Sequence, residues 1–351
     1  MLLARLKKMY ALRERALDWA DPEGVHDMRV ASRRLRSAIS DFEPYLPKGS
    51  VPVNELKSIA NQLGAVRDED VVLAALSDLM EQADPEIRKG VKKIARGHQR
   101  RQTRERAALA AAIGPAAIDE FRKELRSKIR AATKVSGDDS DHVLTFRKVG
   151  ITVIGERLKQ LSKAGDCVYR PLKAKKLHNL RIVAKKLRYA LELFASCWDD
   201  QPKEFAEEVA HFQTSLGELH DCDVWIDNLG SRLKKNRKSR GPSGRQARRD
   251  HEVAVWLLHH FVAERTEHYC HALARWNKWE TEGFLDRLKA MLNSDFIAVA
   301  KVQPKRQRGL SRKPGSTRGE AGKSGAHNGK LAADDLTRPA DSDQTSPIQS
   351  T

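Results

Sequence analysis

His26, Arg29, Arg33 and Arg36 stand three or four residues apart in "HDMRVASRRLR", residues 26–36, and the chemistry open to such a set is the holding of an anion. Arginine presents a rigid fork of N–H donors that matches phosphate or carboxylate oxygens; an imidazole donates one hydrogen bond when neutral and two when protonated. On a helix, successive residues advance by about 100°, so relative to His26 positions 29, 33 and 36 lie at about 300°, 340° and 280°. They make one stripe roughly 15 Å long. Met28, Ala31, Leu35, Ile39 and Phe42 fall on the opposite side, which is the pattern of an amphipathic helix. Like charges at these spacings repel by a few tenths of a kcal/mol per pair, and few acidic residues lie within the stripe to offset them. A solvated helix edge is one explanation; a polyanionic ligand is the other.

The pattern returns. Residues 178–188 read "HNLRIVAKKLR", so that at an offset of 152 His178 matches His26, Arg181 matches Arg29, Lys185 and Lys186 match Arg33 and Arg34, and Arg188 matches Arg36. Leu180, Val183, Leu187, Leu191 and Phe194 repeat the apolar face. A second element, "LGAVRDEDV" at 63–71, recurs as "LGELHDCDV" at 216–224 with an offset of 153. Two ordered matches at nearly one offset indicate a duplicated unit of about 150 residues. Solubility alone does not require a histidine and basic side chains to recur in register, so the repetition favours a ligand. Each histidine also lies near the beginning of its helix, where free backbone N–H groups and the positive end of the helix dipole favour anions.

In the second element Arg67 and Asp70 share a helix face, as do His220 and Asp223, and Asp68 recurs as Asp221. Carboxylates in a basic site commonly orient arginine or histidine by charge-assisted hydrogen bonds, and Asp70 and Asp223 are read in that role. Arg67 and His220 are candidate additional contacts. A metal-dependent phosphohydrolase built on Glu218, His220, Asp221 and Asp223 is the less favoured reading, because Arg67 stands where the first copy would need a ligand and guanidinium stays protonated. The sequence contains no nucleophile–base–orienter set, glycine-rich phosphate loop or H-E-x-x-H. No catalytic residue, metal or cofactor is therefore expected. Other basic helical positions, Arg96, Arg100 and Arg104 and then Arg122 and Arg126, are further candidates for extending the basic surface.

The elements that must position these groups are helices. Of 351 residues, 65 are Lys or Arg against 47 Asp or Glu, a formal charge of +18. That balance predicts attraction to polyanions without choosing among nucleic acid, an anionic membrane surface and an inorganic polymer. Apolar periodicity and breakers place helices at about 2–19, 25–43, 54–81, 86–110 and 116–131, then 142–163, 172–197, 203–234, 249–279 and 283–292. Strand-like alternation is scarce. The expectation is an all-α protein of two antiparallel four-helix bundles in tandem, at 1–135 and 140–293, each large enough for its own core. The segment 234–250 reads as a basic loop between helices, and the tail 296–351, basic at its start, reads as disordered. No apolar run is long enough for a membrane span or signal-peptide core, so a cytoplasmic protein is expected. Cys167, Cys197, Cys222 and Cys270 show no metal-ligand spacing and are expected as free, mostly buried thiols.

On "VHDMRVASRRLRSAISDF" at 25–42, "LGAVRDEDV", "LHNLRIVAKKLRYALELF" at 177–194 and "LGELHDCDV", the sequence resembles the CHAD family, the conserved-histidine α-helical domain, over roughly residues 1–290. The resemblance implies two pseudo-symmetric four-helix bundles with basic surfaces facing a central cavity, binding of inorganic polyphosphate, and in some members association with polyphosphate granules. Carried over by position, it implies contacts at His26, Arg29, Arg33, Arg34 and Arg36, and at His178, Arg181, Lys185, Lys186 and Arg188. The lysines of the second copy keep the charge but give up the bidentate fork, which implies asymmetric binding. Many relatives carry a triphosphate-processing CYTH domain in front; with the first helix beginning at residue 2, a stand-alone binding protein is expected. Nucleic acid is expected to bind only weakly or non-specifically, because the stripe lacks interleaved aromatic residues for base stacking.

Overall fold

The computed structural model describes residues 1–21, 23–47, 50–51, 53–132, 145–238 and 244–294, without the side chains of 235–238, 245 and 246. These residues lie in one unit, Met1–Ile297; the junction 136–139 and the unit Ala298–Thr351 lie outside the described residues. Every regular element described is helical. In chain order they are α1 (Leu2–Ala11), α2 (Arg13–Leu17), α3 (Gly24–Phe42), α4 (Asn54–Gln82), α5 (Pro85–Ala112) and α6 (Pro115–Ala132), followed by α7 (Phe146–Gly165), α8 (Ala174–Phe194), α9 (Pro202–Lys238), α10 (Arg245–Thr281) and α11 (Phe284–Asn293).

The apolar stripes decide how these helices pack. In α3, Met28 and Leu35 are fully buried and Ile39 nearly so; in α8, Leu180, Leu187 and Leu191 are fully buried. Burying each such side chain contributes about 1.5–3 kcal/mol. The pairs α4–α5 and α9–α10 form long antiparallel hairpins, and α3 and α8 pack on α4 and α9 respectively and also on each other. Among the described residues two apolar clusters result, and both draw on both repeats. The larger joins α1, α3, α7 and α8 with parts of the other helices; the smaller joins Leu76, Val91, Cys222, Leu257 and Phe261 at the far ends of the two hairpins. The hairpins are long enough to bury their far ends against one another.

Between α3 and α7 the buried carboxylate of Asp41 accepts from Arg157 Nη2 at 2.8 Å. Burial pushes Asp41 upward in pKa despite that guanidinium, so desolvation outweighs the pairing. Such a pair fixes register more than it adds stability, although removing one partner typically costs about 3–5 kcal/mol.

Three local expectations change. The expected first helix, 2–19, is two: α1 ends at Ala11, Leu12 separates it from α2, and α2 ends at Leu17, where Asp18 and Asp21 accept the backbone N–H groups of Ala20 and Glu23 and so favour turns over continued helix. The α8 helix stops at Phe194 and passes into a 3-10 turn, Ala195–Trp198. Segment 234–250 is largely helical: α9 runs to Lys238 and α10 starts at Arg245, with 239–243 outside the described residues. Lysine and arginine are good helix formers, and a high charge does not by itself end a helix. Among the described residues no helix is long and apolar enough to cross a membrane. The four cysteines are free; Cys167 and Cys222 are buried, Cys197 is half-buried and Cys270 is exposed.

Candidate anion-binding groove

Packing α3 on α8 brings the two basic stripes face to face. The clearest sign is Lys185. Burial, followed by the nearby charges of Arg33, Arg181, Arg29 and Arg36, lowers its pKa from 10.5 to about 8. Three of those four arginines belong to the other stripe, 150 residues away in sequence. Burial likewise weighs against the charge of Arg33, with Arg29 and Arg188 adding repulsion. Arg33 Nε, Arg181 Nε and His178 Nδ1 are buried without a hydrogen-bond partner within the protein, although an unpaired buried polar group ordinarily costs about 1–3 kcal/mol. Cations so converged repel one another, and a negative charge among them would relieve that repulsion.

The second sequence element places carboxylates beside the stripe arginines. Arg29 Nη2 lies 3.6 Å from Asp68 Oδ1, and Arg181 acts in the same sense on Asp221. Asp68 keeps 73% of its side chain open to water, yet the surrounding protein raises its pKa. Asp221 is also exposed and is also raised by burial, with Asp68 contributing. Separately, α7 and α11 frame a cleft of about 480 Å³ lined by residues that include Ile151, Leu158, Leu285 and Leu292, which holds no stripe residue.

At the mouth of each helix the histidine meets the variable position of the second element. His178 and His220 rings lie 4.1 Å apart. In the first repeat Arg67 takes that place beside His26 and also approaches Glu23 Oε1 at 3.6 Å. Burial lowers the pKa of all three histidines; Arg67 then acts on His26, His220 on His178, and Arg181 on His220. The three rings sit among cations.

Asp70 and Asp223 hydrogen-bond to side chains of α5 and α10 rather than to Arg67 or His220. Asp70 accepts from Gln102 Nε2 at 2.6 Å and from Arg106 Nη2 at 3.2 Å, and the Arg106 guanidinium lies 5.1 Å from the Trp19 ring, in the loop that feeds α3. Asp223 accepts from Arg265 Nε at 2.6 Å, while Arg265 Nη2 donates to Pro171 O at 2.7 Å, in the loop that feeds α8. Trp19 and Pro171 are 152 residues apart, the repeat offset itself. In both halves an aspartate holds an arginine that braces the entrance to the histidine helix. The signal available in sequence was only that α5 and α10 follow equivalent elements; their arginines do not align by motif.

Other candidates are placed elsewhere. Arg34 Nε donates to Glu192 Oε2 at 2.8 Å, and Arg188 Nε lies 3.5 Å from Glu192 Oε1, so Glu192 ties α3 to α8. Lys186 is exposed and near enough to act on Asp41. Arg96 and Arg100 are exposed on α5, and Arg104 pairs with its neighbour Glu105 at 2.8 Å. Arg122 stacks over Tyr10 at 4.0 Å where α6 meets α1, and Arg126 is exposed on α6. Among the described residues no group of three or more His, Cys, Asp or Glu side chains is arranged to hold a metal ion.

The sequence matches the family model of the CHAD domain over residues 1–230. Uncharacterized proteins from two strains of Mycobacterium tuberculosis, CDC 1551 and H37Rv, are each 27% identical over 221 residues. The matched region is 59% of this chain and 40% of theirs, so the chain spans about two fifths of the length of these curated relatives. Among solved structures, the crystal structure of the CHAD domain from the plant Ricinus communis aligns with a TM-score of 0.54 and 20% identity, covering 84% of this chain and 90% of that one. PptA from Streptomyces chartreusis aligns with a TM-score of 0.53 and 15% identity, covering 79% and 98%. At these identities the structural likeness speaks for the fold.

Proposed function

The chain belongs to the CHAD domain family, and from that premise we propose that its folded part binds long-chain inorganic polyphosphate, without turning it over, in a groove formed jointly by α3 and α8. The convergence of both stripes on Lys185 carries the reading. His26, Arg29, Arg33 and Arg36 would contact the polymer from one side; His178, Arg181, Lys185 and Arg188 would contact it from the other, with Arg67 and His220 at the mouths. Arg34, Lys186, Arg96, Arg100, Arg104, Arg122 and Arg126 would serve at most as outlying contacts. In this reading the repeats 1–135 and 140–293 are pseudo-symmetric bundles, the tail is secondary, and any recruitment to polyphosphate granules follows from the groove.

Nucleic acid shares the dense phosphate, and salt sensitivity through counterion release would accompany either polymer. Tyr189, next to Arg188, is buried at 3% exposure with the guanidinium over its ring, so it offers no platform for a base. At fixed ionic strength, single-stranded or duplex nucleic acid at equal phosphate concentration is therefore expected to leave bound polyphosphate in place. Efficient displacement would transfer the assignment to nucleic acid.

Lys185 predicts a pH dependence with a definite sign. In the free protein it loses its proton near pH 8, and a bound polyanion, by favouring the ammonium, draws the proton back. Affinity therefore falls as pH rises from about 8 to 10, approaching tenfold per pH unit for one proton taken up. Stability of the unliganded fold runs the other way. The folded-state pKa lies below the ordinary 10.5, so the unfolded chain binds more protons in that window and folding gains as pH rises. Titrations across the window should show the slope in wild type and its loss in Lys185→Arg, whose guanidinium stays charged. Identical slopes in the two proteins would remove Lys185 from the groove.

A further inference from the structure

Gly64 and Gly217 occupy the same place in the two copies of the second element, within α4 and α9, and both are buried. A glycine inside a helix lowers its stability relative to alanine, so its presence at both places has a cause other than helix formation. At Gly217 an alanine Cβ would stand 3.2 Å from Arg181 Nε, 3.6 Å from Nη2 and 3.8 Å from Cζ. At Gly64 it would stand 3.6 Å from Arg29 Nε. Arg29 and Arg181 are the same stripe position in the two repeats. Each guanidinium thus lies over bare backbone on the helix that follows it in the fold, and Arg181 Nε is buried there without a hydrogen-bond partner. By contrast Gly230, also in α9, has nothing within 4 Å of its would-be Cβ.

We infer that Gly217, and less tightly Gly64, are positioning residues for anion binding: the missing side chain lets the stripe arginine settle against the α9 or α4 backbone with its guanidinium held in the groove. The geometry stands by itself, whereas the ligand rests on the polyphosphate reading. At Gly217 the arginine must give by a few tenths of an ångström to admit a methyl group. At Gly64 the contact would be ordinary. The two positions therefore differ in expected effect although they match in sequence.

The test compares Gly217→Ala, Gly64→Ala and Gly230→Ala in the full chain by titration with long-chain polyphosphate and by thermal unfolding. Gly217→Ala should weaken binding about tenfold, the worth of one charge-assisted hydrogen bond. Gly64→Ala should weaken it less, and Gly230→Ala not at all. Melting temperatures should stay at or above wild type, which separates misplaced binding groups from a damaged fold. In an Arg181→Lys background, itself weaker, Gly217→Ala should add no further loss, because no guanidinium is left to displace. Unchanged affinity in Gly217→Ala, or the same added loss in both backgrounds, overturns the inference. If wild type itself binds no polyphosphate, the functional reading falls alone. The positioning claim is then decided by the Arg181 Nε–H magnetic resonance signal, which should move in Gly217→Ala but not in Gly230→Ala; a signal that stays in place in Gly217→Ala overturns the claim.

Discussion

Arg181→Glu combined with Lys185→Glu is expected to weaken binding of long-chain polyphosphate on the order of a thousandfold, with helical content unchanged. Each cation lost removes a charge-assisted contact worth about 1.5–3 kcal/mol, and each carboxylate added repels the polymer. The fold should survive because neither side chain belongs to the buried apolar face of α8. The two changes act oppositely on stability. A carboxylate at 185 would stand among Arg33, Arg29 and Arg36, cations that now repel the lysine, and so should stabilise the protein. A carboxylate at 181 would face Asp221 and give part of that gain back. The matching pair Arg29→Glu with Arg33→Glu should weaken binding to a similar degree, with the 29 position now facing Asp68. A shared groove makes either pair sufficient for the loss. Independent sites would instead keep the affinity and halve the number of chains bound, an outcome that calorimetric stoichiometry separates cleanly and that would defeat the shared groove.

Pyrophosphate is expected to bind at least a hundredfold more weakly than a hundred-unit chain when both are compared per phosphate. A short anion can meet one cluster of donors. A longer one that has engaged the α3 stripe presents its next phosphates to the α8 stripe at an effective concentration near the millimolar range, so further contacts form without a second loss of translational freedom. Affinity should climb steeply until both stripes, each roughly 15 Å long, are occupied, and thereafter only with the number of ways of placing the chain. A titration series from two phosphates upward measures this directly. A flat series would mean that the converging stripes never share a ligand.

Helices, their order and most of their ends were legible in the chain. Periodicity near 3.6 is a local property, and the opposition of Leu35 to Arg33 and Arg36, or of Leu187 to Lys185 and Arg188, follows from it wherever the helix sits. Duplication was equally legible, since an offset needs no third dimension. The motif glycines were visible too, but their use was not. The contact between Gly217 and Arg181 joins α9 to α8, and nothing within either helix reports it.

By itself the sequence determined that this protein is helical, repeated and basic along one face of each signature helix. Tertiary structure alone decided where those faces point. Burial of apolar surface shared between the repeats brings α3 against α8, and only then do Arg33 and Lys185 become neighbours whose like charges compete. The same packing draws Arg34 to Glu192 and Arg122 to Tyr10, and gives Asp70 and Asp223 their partners in Arg106 and Arg265. A long cationic side chain is free to reach several partners; which one it takes depends on the carboxylate or ring that the fold places within reach, a fact of three-dimensional distance that residue spacing along one helix does not encode.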